Sequence, residues 1–231
     1  MKKFVLISLF LMISSLAYSH SLGLGMYIPL GGSIPSFYPE SSVDPSVSFS
    51  PKTAFEVGVI FQPRVNFNIG DGTHTISLGL DVGWYRDTFK FITADSRNYT
   101  HEFDSVMTGL NLEWRPLLFQ LGIGGGVKIP FSGKYTEGDS DRKISALSGR
   151  FNDVLIPYVR LYTGINIVFV SLSLYVNFDI PYIGVKNNVG SLGYGYMYPG
   201  KLGSVDIGAQ LGIHLDLFKF GDTERKEVIE I

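Results

Sequence analysis

The sequence predicts an all-β chain, an eight-stranded antiparallel up-and-down transmembrane β-barrel. Three observations carry that prediction: a leader laid out like a secretory signal, eight segments in which apolar side chains alternate with small or polar ones, and connections that alternate between long and tight. Successive side chains of a strand point to opposite faces, so each alternating segment has one apolar face and one wet face. Residues 171–181 show this most plainly. Leu172, Leu174, Val176, Phe178 and Ile180 hold one parity, and Ser171, Ser173, Tyr175, Asn177 and Asp179 the other.

Residues 1–19 read as a signal peptide, with Lys2 and Lys3 as the charged start, Phe4 to Ile13 as the apolar stretch and Ala17-Tyr18-Ser19 as the cleavage site. The apolar stretch is too short for a spanning helix, and no later segment reaches ~18 continuous apolar residues. Export is therefore expected to deliver one barrel domain over residues 20–220, followed by a charged tail over 221–231. The chain has no cysteine, which excludes a disulfide framework, a thiolate metal site and a lipid-modified N-terminal cysteine. The formal net charge of −2 becomes more negative once Lys2 and Lys3 leave with the leader, so no basic field for nucleic acid exists. The 27 glycines and 13 tyrosines suit a narrow barrel whose interior needs room.

The first strand is expected over about residues 21–30, with Leu22, Leu24, Met26, Ile28 and Leu30 on one face; residues 31–52, rich in proline and serine, read as a loop. The second, residues 53–69, sets Phe55, Val57, Val59, Phe61, Val65, Phe67 and Ile69 together, and Pro63 is expected to mark a bulge. Gly70-Asp71-Gly72 makes a tight turn. The third strand, residues 74–89, carries Ile76, Leu78, Leu80, Val82 and Trp84 opposite Ser77, Gly79, Asp81 and Tyr85, and a polar loop follows over 92–100. The fourth, residues 101–114, ends at the reversal Arg115-Pro116-Leu117-Leu118.

The fifth strand, residues 119–131, sets Phe119, Leu121, Ile123, Val127, Ile129 and Phe131 against Gln120, Gly122, Gly124, Gly126 and Lys128. Its Gly124-Gly125-Gly126 run lacks the Lys-Ser/Thr and the helix of a phosphate loop, and reads as lumen space. A charged loop over 132–153 leads to the sixth strand, residues 155–165, with Tyr158, Arg160 and Tyr162 opposite Val159 and Leu161. A tight turn at 166–169 enters the seventh strand, a Tyr- and Gly-rich loop spans 182–203, and the eighth strand covers 205–217.

A soluble barrel such as a lipocalin would bury the apolar parity around a ligand, leaving mid-strand glycines such as Gly122 and Gly208 on its surface. Turned inside out, those glycines make room for Tyr27, Tyr158, Tyr162 and Tyr175, and the apolar parity faces lipid. Aromatics of that parity gather near strand ends: Phe67, Trp114, Phe119 and Phe169 by the tight turns, and Phe55, Trp84, Phe131 and Phe178 by the long loops. Two such girdles are expected of a lipid-embedded barrel. A periplasmic N-terminus makes all four long loops extracellular.

On this pattern the chain from Ser21 to about Phe220 resembles the small bacterial outer-membrane barrels of the OmpA-transmembrane, OmpX and OmpW kind. The resemblance implies the outer membrane of a diderm bacterium as the location and outer-membrane lipid as the surroundings. It also implies the outer-membrane assembly machinery and periplasmic chaperones as partners during insertion. Barrels of this kind usually end on an aromatic residue that resembles an insertion signal, and Phe218 or Phe220 stands in that place ahead of the tail.

The inward parity carries Glu56, Arg64, Asp81, Asp87, Glu113, Arg115, Lys128, Arg160, Asp179, Asp206 and Asp216. Counted from the long-loop end, Glu56, Lys128, Asp179 and Asp206 share a height, with Asp81 and Arg160 nearer the middle. These lumen charges allow a salt-bridged plug, hence a structural barrel, or a narrow porin-like path for small solutes or ions that prefers cations. The loops allow a third role, an adhesin-like module holding an extracellular ligand. His20, His74, His101 and His214 are scattered, and His101 and Ser105 fall on one strand face with Asp104 on the other. No enzyme, metal site or cofactor is expected.

If the apolar parity faces lipid, Leu172→Arg or Leu211→Arg should cost about 2–4 kcal/mol near the bilayer midplane and lower the yield of assembled barrel. Gln210→Arg, on the other parity, should be milder. Equal losses of the heat-modifiable species on gels would reverse the assignment of faces.

Overall fold

Strict two-residue alternation is satisfied by extended backbone, and the computed structural model, which describes residues 20–43, 49–69, 73–93, 96, 98–137, 140–144, 147–186 and 199–220, is built almost wholly of strands. In chain order they are β1 (His20–Pro39), β2 (Phe49–Lys52), β3 (Ala54–Ile69), β4 (His74–Thr93), β5 (Asn98–Pro116), β6 (Phe119–Glu137) and β7 (Ser140–Ile144). A one-turn helix α1 (Leu147–Arg150) precedes β8 (Phe151–Asn152), β9 (Ile156–Ile167), β10 (Val170–Asp179), β11 (Gly184–Val185) and β12 (Gly200–Phe220). The expected leader at 1–19, the turn at 70–72, most of the fourth loop and the tail at 221–231 lie outside the described residues.

The ring runs β1-β3-β4-β5-β6-β9-β10-β12, and antiparallel pairing of β1 with β12 closes it. That is the eight-stranded up-and-down barrel, and closure leaves the ring no edge strand with unpaired backbone groups. The apolar parity lies outside: Leu172 is 53% and Leu211 51% exposed, whereas Ser173 and Gln210 are buried. Inside, bulky tyrosines lie over glycines of neighbouring strands. Tyr162 covers Gly122, Tyr27 covers Gly212, and Tyr85 covers Gly58, where a Cβ would stand 2.6 Å from the ring. An eight-stranded lumen is just wide enough for side chains to fill, and this pairing of large with absent side chains fills it.

The strands outrun the sequence reading at one end of the barrel. β1 continues to Pro39, β4 and β5 nearly meet at Thr93 and Asn98, and β6 folds back into β7. Ile92 pairs with Asn98, so β4 and β5 form one hairpin where the sequence predicts a long loop over 92–100. The physical reason is an inward parity that turns aromatic beyond Asp87. Phe89, Phe91, Tyr99, Phe103 and Tyr135 pack with Leu147, Phe151, Ile183 and Leu202 into a buried cap over the mouth. Phe103 meets Phe151 edge-on at 5.1 Å and Phe89 at 6.0 Å. β2 and β7 join β4 and β6, so β2-β4-β5-β6-β7 forms a sheet rising past the ring.

Pro63 is not at a bulge. The β1–β3 register runs unbroken through it, and on the β4 side two pairs are missing without a change of register. The absent N–H removes ladder bonds and shifts nothing. The register shifts lie elsewhere, at Leu22/Gly23 against β12 and at Asp104/Ser105 against β6. The second swaps parity on β6: Phe131 stays outside, and Gly133 and Tyr135 then turn inward to the cap.

At the opposite end two tight turns are apolar and left-handed. Leu117 (φ 54°) and Val168 (φ 57°) stand where glycine is favoured, and they are 71% and 87% exposed. Replacing Val168 by glycine should relieve about 1–2 kcal/mol of backbone strain and raise the urea midpoint of refolded barrel. An unchanged midpoint would show that the left-handed backbone at this turn carries no penalty.

Candidate functional site: the barrel interior

The inward charges sort into three layers, each assembled by the cross-strand register. Nearest the tight turns, Glu113 receives Arg115 Nε at 3.1 Å and Arg64 Nη1 at 3.7 Å. The Tyr162 hydroxyl lies 2.8 Å from Glu113 Oε2, and Arg64 also donates to the Tyr27 hydroxyl at 3.0 Å. Asn66 extends the network, donating to Asp216 at 2.6 Å and Ser21 at 3.0 Å while accepting from Ser77 and Arg115. The outermost of these groups, Asp216, lies on β12 at the rim.

The middle layer is organised by Arg160. Its guanidinium lies 5.5 to 5.9 Å from the ring centres of Tyr85, Tyr158 and Tyr175, a cage of π-faces suited to a desolvated cation. Asp81, which the strand count sets at the same height, accepts from Gln62 at 2.7 Å. Both groups border one cavity, with Tyr27, Ile60, Asn111, Tyr162 and Gln210. Its volume is about 10 Å³, room for roughly one water molecule.

Toward the cap, Lys128 reaches across the lumen from β6. Its ammonium contacts Asp87 of β4, lies 2.8 Å from Asp179 of β10 and 3.9 Å from Asp206 of β12, and sits 4.1 Å from the Tyr85 ring centre. Asn177 donates to both Asp179 and Asp206 at 2.9 and 2.7 Å, and the Ser204 hydroxyl lies 2.8 Å from Asp206 and 3.0 Å from Asp179. Glu56 accepts from the Thr88 backbone N–H at 3.0 Å. Four barrel strands are thereby tied through one ammonium, although a single positive charge here faces four carboxyl groups and Glu56 Oε2 has no hydrogen-bond partner.

The structure brings Lys128 and Asp179 into contact with Asp206 close by, and leaves Asp81 and Arg160 without a direct ion pair between them. Sequence reasoning passed over Asp87 as the nearest Lys128 carboxylate, Asn177 and Ser204 as bridges, and the aromatic cap. The signal for the cap was present in the continued parity Tyr85, Asp87, Phe89, Phe91. The girdle residues Phe55, Phe67, Trp84, Trp114, Phe119, Phe131 and Phe178 lie on the outer parity, whereas Phe169 is an exposed residue of the β9–β10 turn. Trp84 Nε1 also donates to Asp104 at 3.1 Å.

His101, buried among Phe103, Tyr135 and Phe151, is a cap residue. Ser105 donates inward to Asp87, whereas Asp104 points outward to Arg86, so these three do not converge. Among the described residues no group of three or more His, Asp or Glu side chains is arranged to hold a metal ion.

A closed eight-stranded antiparallel ring, apolar outside and filled with polar side chains inside, is the fold of the small outer-membrane barrels. A solved structure agrees on that fold. The chain is similar to the Neisserial surface protein A, NspA, with a TM-score of 0.50 and 12% identity over 82% of this chain and 96% of that one. It also matches OprG of Pseudomonas aeruginosa (TM-score 0.38, 10% identity, 87% and 97% covered) and Ail, the attachment invasion locus protein of Yersinia pestis (0.36, 8%, 84% and 99%). At these identities the NspA likeness speaks for the fold alone. No protein-family model and no curated protein sequence matches the chain.

Lys128→Met should destabilise the barrel by about 3–5 kcal/mol, because it strands three buried carboxylates. Arg86→Met breaks a part-exposed outer pair with Asp104 and should cost no more than about 1 kcal/mol. Urea titrations in detergent would separate the two. Equal small losses would mean the Lys128 cluster is hydrated and not a desolvated tie.

Proposed function

We propose that this chain is an outer-membrane structural barrel, closed to solutes, that carries a rigid β-sheet platform on the outer surface of a diderm bacterium. In this reading the leader directs export, the assembly machinery inserts the barrel, the tight turns face the periplasm and the capped end projects outward. The observation that supports it best is the filled interior: Lys128 locked among Asp87, Asp179 and Asp206, below a mouth sealed by the aromatic cap. A conducting path needs continuous space and sites weak enough to leave. The platform side fits the adhesin-like role, because a sheet held by a packed core presents a fixed surface to a ligand.

Planar bilayers should decide between the closed barrel and the narrow channel. Purified, refolded protein should give no discrete current steps across the voltage range in which a porin control conducts. Cation-selective steps that shrink in Asp206→Asn would replace this reading with the channel.

A further inference from the structure

The outward face of β4 changes chemistry within a few residues. Toward the capped end it runs Leu80, Val82, Trp84, Arg86, the buried Thr88 and the half-buried Lys90. Val57 of β3 pairs with Arg86, so Phe55, 65% exposed, comes level with Thr88. Lys90 therefore stands one outward position beyond Phe55, about 7 Å along the strand. β2 pairs with β4 here and sets Lys52 directly opposite Lys90. Like charges directly opposite are destabilising, and no described residue relieves this pair.

The nearby acids are engaged elsewhere. Asp104 holds Arg86 at 2.9 Å and Glu102 turns to the same guanidinium at 3.8 Å. The residue facing Lys90 from β5 is Thr100, and neither lysine makes an ion pair or hydrogen bond with a described residue. Among the described residues, two lysines without an acidic partner thus stand opposite each other just above the apolar wall, on the same face as its outward side chains.

We propose that Lys52 and Lys90 clamp the phosphate of an anionic lipid headgroup at the outer edge of the apolar belt. The clamp rests on the membrane reading given above. Its occupant follows from continuity: a group that neutralises both lysines at this height, alongside Phe55 and Trp84, has its acyl chains against the barrel wall. The phosphate would convert the repulsive pair into two charge-assisted contacts.

The test uses the refolded full-length mature chain in phosphatidylcholine vesicles doped with phosphatidylglycerol. After flotation and mild detergent extraction, retained lipid is counted per barrel by mass spectrometry. Wild type should retain phosphatidylglycerol in excess of its share of the bilayer, and the excess should fall about fivefold for each lysine changed to glutamine in Lys52→Gln and Lys90→Gln. Lys219→Gln, at the other end of β12, should leave it unchanged. Raising salt from about 0.1 M to about 1 M, which shortens the Debye length from about 10 Å to 3 Å, should erode the excess in wild type only.

Proteoliposomes that float, with anionic-lipid retention equal in wild type and the double variant, would overturn the clamp and leave the barrel reading intact. Retention lost equally to added inorganic phosphate would also overturn it, in favour of a soluble anion. A chain that does not float with vesicles at all would sink both readings.

Discussion

Backbone pairing is the constraint on which the rest of this structure depends. A strand with an apolar outside cannot leave its N–H and C=O groups unpaired away from water, so the sheet must close, and the β1–β12 ladder closes it from His20 opposite Phe220 to Pro39 opposite Gly200. Closure at eight strands leaves a lumen that side chains nearly fill. Inward polar groups then meet chiefly one another, and a network of cross-lumen ties follows. Lys128 is the clearest product of that demand, since one side chain serves acids from three other strands.

Glycine placement is the second consequence of a narrow lumen. Tyr85 can lie flat against the wall because Gly58 has no side chain, and Tyr162 does the same over Gly122. Tyr85, with Tyr158 and Tyr175, in turn supplies the faces that receive the Arg160 guanidinium. A cation held by rings needs no carboxylate at contact distance, which is why Asp81 can be satisfied by Gln62.

The ring was legible in the sequence because a period of two depends on backbone geometry and not on tertiary surroundings. Leu172 and Ser173 declare their faces without reference to any neighbour. The capped end was not legible in the same way, since Phe37, Phe89, Tyr99 and Phe103 are scattered through serine-, proline- and charge-rich stretches that have the composition of loops. The bulge opposite Asp104 and Ser105 further hides Tyr135 by reversing parity midway along β6. Heights along single strands placed Lys128 near its acids but missed the ring cage of Arg160, because residue counting carries no information about what lies across the lumen.

The ring strands are unequal in length, and for a barrel in lipid that inequality becomes a mechanical property. β10 has 10 residues and β9 has 12, against 20 in β1 and β4. Ten residues in a strand tilted as barrel strands are rise about 25 Å, roughly the full height of the apolar band. For a barrel in lipid the β9–β10 hairpin has no length to spare, and its tip carries the exposed apolar residues Val168 and Phe169. A thicker bilayer would therefore be felt first beside β9 and β10, as local thinning or a lean of the barrel axis, and last beside the longer β1 and β4.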